Sequence, residues 1–293
     1  MKRMHPSPEV ITERCTGCGL CVEACPSFVL DMANAKASVA RGEWCIGCGH
    51  CGAVCPVEAI LQEAAADEES LRPGPDPATS PDKLLLLLRE RRSVRLYRNE
   101  PLPDEILERI LDAGRYAPTG RNSQNVHYVL LRSPDEIDRL REMTMAFYEK
   151  IFARVRGKVG AFVLSLFAGR RIVESLRESL PKLEHAGKLI EQGKDCLFYQ
   201  ARAVMMVHAE SWDTCSSFNC AAALYNCSLL AHTLGVGCCF NGYLVSAVNN
   251  DRKIKKWLGI PHDDRCFGAM TLGYQEVKYQ RLVERDPAKV TWR

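Results

Sequence analysis

The sequence has no apolar run long enough to cross a membrane. The longest such run among its 293 residues extends from Gly160 to Gly169, about half the length that a bilayer-spanning helix needs. The first residues, Met1 to Pro8, carry charge but no following apolar stretch, so we expect no secretory signal peptide. These two absences predict a cytoplasmic protein without a membrane span.

Motifs for nucleic-acid binding and for side-chain acid–base catalysis are also missing. The net charge of +3 is unevenly distributed, because residues 1–81 hold 6 Lys and Arg against 11 Asp and Glu, whereas residues 82–293 hold 33 against 25. A basic region can bind nucleic acid or an anionic cofactor. Because no nucleic-acid-binding motif accompanies the charge, we favour the cofactor and predict no nucleic-acid partner. No Ser-His-Asp or paired-carboxylate arrangement is visible.

Cysteine, in contrast, is abundant. The cytoplasm keeps thiols reduced, so we expect the 15 cysteines to be metal ligands or free thiols and not disulfides. Eight of them form two runs with the spacing C-x2-C-x2-C-x3-C-P, which end at Pro26 and Pro56. This spacing binds [4Fe-4S] clusters, because three thiolates two residues apart can wrap one corner of a cube while glycines let the backbone bend. A zinc ribbon is disfavoured, because it would need two cysteine pairs for each metal and not two quartets that each end in proline.

In two-cluster ferredoxins the fourth cysteine of each run binds the other cluster. The spacing therefore predicts one cluster held by Cys15, Cys18, Cys21 and Cys55, and a second cluster held by Cys45, Cys48, Cys51 and Cys25. Residues 9–61 resemble a bacterial two-cluster ferredoxin, a module that carries electrons one at a time. The seven other cysteines are irregularly spaced, and we expect most of them to pack in the core: Cys196, Cys215, Cys220, Cys227, Cys238, Cys239 and Cys266.

Composition divides the chain into three regions. Residues 1–61 contain the cysteine runs, residues 62–81 are rich in Pro, Gly and acidic residues and predict a linker, and residues 82–293 form the larger domain. In the last region, apolar periodicity and helix stop signals predict helices at 81–90, 103–115, 134–156, 220–234 and 246–258, and strands at 126–132, 203–210 and 265–274. Residues 157–194 are amphipathic but interrupted by Gly169, Pro181 and Gly187. This pattern predicts an α+β fold with helices covering a mixed sheet.

Two polar segments follow the first two helices of the larger domain. The first contains Arg91, Arg92, Ser93 and Arg95, and the second contains Pro118, Thr119, Gly120 and Asn122. Three arginines and a serine suit a phosphate or the carbonyl edge of a flavin. Residue types alone, however, favour a solvated basic helix end. Together and at this spacing, the segments resemble the nitroreductase family of FMN enzymes, which has Arg-Arg-Ser-x-Arg followed by Ala-Pro-Ser/Thr-x-x-Asn-x-Gln.

Three later stretches, 224–238, 255–261 and 272–281, extend this resemblance over residues 82–293. The resemblance implies an FMN at the interface of a homodimer. The residues that would bind it are Arg91, Arg92, Ser93 and Arg95, with Lys278 and Arg281 near the phosphate, Asn241 and Gly242 near N5 of the flavin, and Pro118, Thr119, Gly120 and Asn122 from the other subunit. The sequence departs from the family pattern at Asn125-Val126, where many members have Pro-Trp, and at Asn241, where some have an acidic residue.

The two resemblances together predict an FMN-dependent oxidoreductase. It would pass electrons between two [4Fe-4S] clusters and FMN to reduce a small organic substrate of the nitroaromatic, quinone or enone type. FMN would carry the chemistry, so no catalytic side chain is predicted. The electron donor stays open between ferredoxin and NADH or NADPH. Two alternatives are an NAD(P)H-driven flavin reductase with the clusters as electron outlet, and a redox-sensing or electron-storage protein without a turnover substrate.

Overall fold

The computed structural model describes residues 6–62 and 79–293, and it divides them into two compact units. One unit contains residues 6–62 together with Thr119–Ser123, and the other contains residues 79–118 and 124–293. Most of the linker predicted at 62–81 lies in residues 63–78, outside the described residues. None of the described helices combines the length and apolar character that a bilayer crossing requires.

The N-terminal unit is built from short elements around its cysteines. Strand β1 (Glu9–Val10) pairs with β4 (Ile60–Leu61), and β2 (Leu30–Ala33) pairs with β3 (Lys36–Val39), both antiparallel. Two one-turn helices, α1 (Leu20–Glu23) and α2 (His50–Ala53), begin inside the two cysteine runs. Each helix follows a glycine in the left-handed region, Gly19 with φ 77° and Gly49 with φ 74°, a conformation that glycine adopts without steric strain.

The larger unit is organised around a four-stranded sheet. Its order is β5 (His127–Leu131), β6 (Ala203–Glu210), β8 (Asp264–Tyr274) and β7 (Val236–Phe240). All three strand pairings are antiparallel, and parallel pairing among the described residues is limited to an isolated bridge between Ser93 and Cys238. The prediction of a mixed sheet was therefore wrong for these four strands. Strands β6 and β7 do run in the same direction, but β8 lies between them and runs the opposite way, so each hydrogen-bonded pair is antiparallel.

Helices cover both faces of this sheet. The unit contains α3 (Pro81–Glu90), α4 (Asp104–Arg115), α5 (Pro134–Arg156), α6 (Lys158–Ala168), α7 (Arg170–Glu191), α8 (Ser216–Thr233), α9 (Gly242–Asn250) and α10 (Arg252–Trp257). Of these, α4, α5, α8, α9 and α10 supply the side chains that pack in the cores beside the sheet. Side chains alternate between the faces along a strand. Val204 and Met206 of β6 accordingly pack in one core with α5, α9 and α10, whereas Met205 and Val207 pack in a second core with α4 and α8. This two-sided burial explains the uninterrupted apolar run at the start of β6.

Three local predictions differ from the structure. Strand β7 was missed, because Gly235 and Gly237 read as a helix stop followed by a turn. Residues 157–194 form two long helices, and α7 continues through Pro181 and past Gly187, although a proline inside a helix removes one backbone hydrogen bond. The predicted helix at 246–258 is two helices, since the Asp251 side chain accepts a hydrogen bond from the Lys253 amide and caps a new start.

The segment after α3 runs along the edge of β7. The Val94 amide donates to the Cys238 carbonyl at 2.9 Å, and Tyr97 forms an antiparallel bridge with Gln275 after the end of β8. The buried side chain of Val94 lies over Gly237, where a Cβ atom would come within 2.8 Å of it. Gly237 is therefore the residue that lets the segment approach the sheet this closely.

We predict opposite effects for two glycine-to-alanine substitutions. Gly237→Ala pushes Val94 away from the sheet and should lower the free energy of unfolding by about 1–3 kcal/mol, the usual range for overpacking. Gly187→Ala, within α7 where an added Cβ meets open space, should raise it by about 0.5–1 kcal/mol. Urea unfolding followed by circular dichroism measures both changes. A Gly237→Ala protein as stable as the parent would contradict the packing described for Val94.

Candidate functional site

Each predicted cysteine quartet lines one cavity of the N-terminal unit. Cys15, Cys18, Cys21 and Cys55 surround one cavity, and Cys25, Cys45, Cys48 and Cys51 surround the other. The fourth cysteine of each run thus joins the three cysteines of the other run. The structure brings together the same two sets that the spacing predicts, including the crossed assignment of Cys25 and Cys55.

Backbone amides point at several of these sulfur atoms. The Val29 amide donates to Cys25 Sγ at 3.3 Å, and the Ala59 amide donates to Cys55 Sγ at 3.2 Å, four residues after the cysteine in both cases. Amide hydrogen bonds from Ala37 and Gly17 lower the pKa of Cys15, with a further contribution from the Lys36 charge. Donors of this kind stabilise thiolates, the form of cysteine that binds metal.

The cysteine sets fit a cluster better than a single metal ion. Within residues 6–62 and 79–293, no three His, Cys, Asp or Glu side chains are close enough to hold one ion. Two sets of four thiolates spread around a larger space are the donor arrangement of a multi-iron cluster. The residues present therefore fit iron–sulfur clusters, because their donors are thiols and because four of them surround each cavity.

The larger unit holds unpaired cationic groups at the position predicted for a cofactor. Nε and Nη1 of Arg91 and Nε of Arg92 are buried without a hydrogen-bond partner. Buried polar groups are nearly always paired, and exceptions commonly mark a missing ligand. Arg92 Nη1 donates to the Arg91 carbonyl at 3.1 Å, whereas Nε of the same guanidinium has no partner. These orphaned donors fit an anionic or carbonyl-bearing group such as the phosphate or ring edge of FMN.

Arg92 lines a cavity of about 610 Å³ together with the chain after β8. Lys278 and Arg281, predicted at the FMN phosphate, line the same cavity. Backbone bonds hold the two walls together, since the Arg98 amide donates to the Tyr274 carbonyl at 2.9 Å and the Glu276 amide donates to the Leu96 carbonyl at 3.0 Å. Arg92, Lys278 and Arg281 are thus gathered from ends of the domain sequence that are far apart, which makes one cationic cavity.

Arg95 and Ser93 lie further along the same segment. The Arg95 guanidinium lies 5.7 Å from the centre of the Tyr199 ring, and its Nη1 donates to the Ser93 carbonyl at 3.3 Å. Burial raises the pKa of Tyr199, which keeps the phenol protonated, although its hydrogen bond from Arg95 acts in the opposite direction. The Ser93 backbone forms the bridge with Cys238.

The side chain of Asn241 has a structural role. Its Nδ2 donates to the Leu197 carbonyl at 2.8 Å, and its Oδ1 accepts from the Leu244 amide at 3.0 Å, which caps α9. The Asn241 backbone is also engaged, because its N–H donates to the Ala269 carbonyl at 2.8 Å and its carbonyl accepts from the Val245 amide at 3.3 Å. The group left to a ligand here is the N–H of Gly242, at the first turn of α9.

The four residues predicted to come from a second subunit are divided between the two compact units. Pro118 belongs to the larger unit, whereas Thr119, Gly120 and Asn122 belong to the N-terminal unit. Residues Gly120–Asn122 form a 3-10 turn, in which Arg121 and Asn122 have left-handed φ values of 56° and 52°. Asn122 Nδ2 donates to the carbonyls of Ile46 and Gly47, both at 3.0 Å.

A second cavity, of about 450 Å³, lies beside α9 and was not predicted from the sequence. Tyr148 and Phe152 of α5 and Tyr243 of α9 form an aromatic wall, with Tyr148 5.7 Å from Phe152 and 5.4 Å from Tyr243 between ring centres. The Tyr148 hydroxyl donates to the Tyr243 carbonyl at 3.0 Å. An ion pair between Arg156 and Glu184 at 3.0 Å also lines the cavity. The 157–194 stretch therefore supplies part of the wall of this cavity through α7.

Sequence reasoning also missed Arg98 and His232, which line the cationic cavity. Arg98 follows the Arg-Arg-Ser-x-Arg run directly, so its place in the same segment was an available signal. His232 lies at the end of α8, and nothing in its sequence neighbourhood indicates a site. Tyr148 and Phe152 are four residues apart on α5, a spacing that core-facing residues share, so their role in a cavity could not be separated from packing.

The prediction of core packing holds for five of the remaining cysteines. Cys220, Cys227, Cys238, Cys239 and Cys266 are buried, whereas Cys196 and Cys215 are half-buried. Burial raises the pKa of Cys220 and Cys227 to about 12 and that of Cys238 and Cys266 to about 11. These thiols are therefore protonated at neutral pH and act as small apolar side chains.

Comparison with known proteins gives two family matches. Residues 88–274 match the model of the nitroreductase family, and residues 7–70 match the model of a 4Fe-4S dicluster domain. A protein from Archaeoglobus fulgidus described as an NADH dehydrogenase/NAD(P)H nitroreductase is 24% identical over 193 residues, which cover 66% of this chain and 86% of that protein.

Solved structures show the same fold. A nitroreductase with bound FMN from Bacteroides fragilis has a TM-score of 0.52 at 22% identity, covering 72% of this chain and 98% of the other. An FMN-dependent nitroreductase from Clostridium difficile has a TM-score of 0.53 at 15% identity, covering 73% of this chain and all of the other, 100%. The family matches confirm both predicted resemblances, and the solved structures confirm the α+β fold of the larger domain.

The crossed cysteine sets generate a prediction. Cys25→Ser should release mainly the cluster of Cys45, Cys48 and Cys51, because Cys25 shares their cavity. Those three cysteines should then react with iodoacetamide under anaerobic conditions, and peptide mass spectrometry should locate the label. The matched variant Cys55→Ser should expose Cys15, Cys18 and Cys21 instead. Labelling of Cys18 and Cys21 in the Cys25→Ser protein would show that the sets are not crossed.

Proposed function

The chain belongs to the nitroreductase family of FMN-dependent oxidoreductases, and from this premise we propose that it passes electrons from two [4Fe-4S] clusters of its own through FMN to a small organic substrate. The observation that supports this most directly is the presence of both donor sets in one chain. Two thiolate quartets and a cavity with orphaned arginine donors are the binding groups that a one-electron carrier and a flavin require.

The roles of the chain's own residues follow from their chemistry. When bound, FMN can take up electrons singly and deliver them in pairs, which connects cluster chemistry to the reduction of an organic molecule. Arg92, Lys278 and Arg281 would hold its phosphate, because they line one cationic cavity. Arg91, Ser93 and Arg95 would orient its ring edge, where cationic groups favour the anionic reduced state. Gly242 would contact its ring through the backbone N–H, and Asn241 would hold the start of α9 in place beside it.

The aromatic cavity beside α9 is the proposed substrate site. Its volume of about 450 Å³ is within the range of small-molecule sites. Tyr148, Phe152 and Tyr243 offer ring faces and edges to a flat, apolar molecule. This supports a nitroaromatic, quinone or enone-like substrate, since these compounds combine a planar conjugated body with an electron-accepting group.

We also propose a homodimer in which Pro118, Thr119, Gly120 and Asn122 serve the flavin site of the partner. Two helices carry apolar side chains exposed to solvent in the single chain. Leu84, Leu85 and Leu86 of α3 are 44–46% exposed, and Phe162 and Leu166 of α6 are 61% and 68% exposed. Exposed large apolar side chains of this kind are expected on an interaction surface, and a second copy of the chain is the partner that the family resemblance implies.

Two other functions stay possible. In one, NADH or NADPH reduces the flavin and the clusters serve as an outlet. In the other, the protein stores or senses electrons without a turnover substrate. The identity of the electron donor distinguishes these two functions from the favoured one, since only the favoured function requires the clusters for flavin reduction.

The donor preference is therefore the test of this function. With a nitroaromatic acceptor under anaerobic conditions, the full chain should turn over with a low-potential one-electron donor such as reduced ferredoxin, and at least about tenfold more slowly with NADH or NADPH. A fragment of residues 80–293 that retains FMN should lose ferredoxin-driven turnover. If the full chain prefers NADH, or the fragment works undiminished with ferredoxin, the clusters are an outlet or a sensor.

The phosphate role of Arg92 gives a second prediction. Arg92→Gln should weaken FMN binding about 10- to 100-fold, as expected for loss of a charged hydrogen bond worth about 1.5–3 kcal/mol. Riboflavin, which lacks the phosphate, should bind both proteins within about twofold, as measured by flavin fluorescence. Arg89→Gln, at an exposed position near the end of α3, is the matched control and should change neither affinity. Equal losses for FMN and riboflavin would place Arg92 away from the phosphate.

A further inference from the structure

Asn122 contacts the loop that carries two ligands of the second cysteine set. Its side-chain amide donates to the carbonyls of Ile46 and Gly47, both at 3.0 Å, inside the N-terminal unit to which Thr119–Ser123 belongs. Ile46 and Gly47 are the two residues between Cys45 and Cys48. Both donor hydrogens of one amide are therefore used on a single two-residue loop.

One of these bonds continues to a cysteine sulfur. The peptide group between Ile46 and Gly47 accepts from Asn122 through its carbonyl and donates through the Gly47 amide to Cys45 Sγ at 3.4 Å. A hydrogen bond to a carbonyl polarises the peptide group and makes its N–H a better donor. Asn122 is thus the first donor in a series of two hydrogen bonds, from its side-chain amide to the peptide group and from the peptide group to the sulfur.

The first cysteine set has a charged side chain near it. The corresponding loop between Cys15 and Cys18 consists of Thr16 and Gly17. The Lys36 charge acts on Cys15, and its Nζ donates to the Thr12 carbonyl at 2.6 Å. Lys36 is therefore a matched position at which to perturb the first cluster.

We propose that Asn122 is a positioning residue that raises the reduction potential of the second cluster above the value it would have without this contact. The inference rests on the proposed function, because it requires both clusters. Donors directed at cluster sulfurs stabilise the more negative, reduced state. In the redox step one electron from the donor adds to the oxidised cluster, and Asn122 neither gains nor loses a proton.

The test is a potentiometric titration of the full chain with FMN and both clusters in place. Paramagnetically shifted NMR signals of the cysteine β-protons distinguish the two clusters. Asn122→Leu has similar volume and no donor, and it should shift the midpoint potential of the Cys25, Cys45, Cys48 and Cys51 cluster to a lower value while the other cluster stays unchanged. Lys36→Met is the matched variant and should lower only the potential of the other cluster, by removing a cation near Cys15.

The outcomes separate this inference from the function on which it rests. Wild-type protein without FMN, or with iron for one cluster only, would overturn the proposed function. Wild-type protein with all three cofactors, and an Asn122→Leu variant with both potentials unchanged, would overturn the role of Asn122 alone. If Asn122→Leu does not retain iron, Asn122→Ser, whose shorter side chain cannot reach both carbonyls, provides the same comparison and should show the same selective shift.

Discussion

The backbone pairing of residues 93–97 with the sheet edge is the constraint on which the cofactor site depends. The Val94 amide bonded to the Cys238 carbonyl fixes the segment beside β7, and Gly237 makes the close approach possible. On one side of Val94 this places the buried, unpartnered nitrogens Nε and Nη1 of Arg91 and Nε of Arg92. On the other side, the backbone bonds of Leu96 and Arg98 hold the chain at the end of β8. The cationic cavity follows from this pairing, because its walls come from opposite ends of the larger domain.

The cluster sites depend on a different constraint, the fixed reach of short cysteine loops. Left-handed glycines at 19 and 49 begin one-turn helices, which direct Cys21 and Cys51 inwards. The fourth cysteine then lies beyond the reach of its own loop and joins the other set. The N-terminal unit is thereby built around its sulfur atoms, with only a small apolar core of residues such as Val29, Leu30 and Ile60. We infer that the clusters supply much of its stability.

The sequence predicted a site well where its residues lie in one short segment, and less well where the fold brings the residues together from distant segments. The cysteine sets, the Arg91–Arg95 run and most helices could be predicted, because spacing and periodicity carry them. Strand β7 was missed because Gly237 serves the close approach of Val94, which no local pattern reveals. The aromatic cavity was missed for a related reason, since Tyr148 and Tyr243 meet only after α5 and α9 have packed. The double contact of Asn122 with the cluster loop likewise required coordinates.

The central claim is that electrons move from the clusters to the flavin within one chain. Anaerobic stopped-flow absorbance after mixing with a limiting one-electron donor tests it most directly, because cluster and flavin bands bleach at different wavelengths. We predict that the clusters bleach first and the flavin follows at a rate independent of protein concentration. Flavin reduction that proceeds equally fast when Cys45→Ser has removed the second cluster, or whose rate rises with protein concentration, would contradict the account.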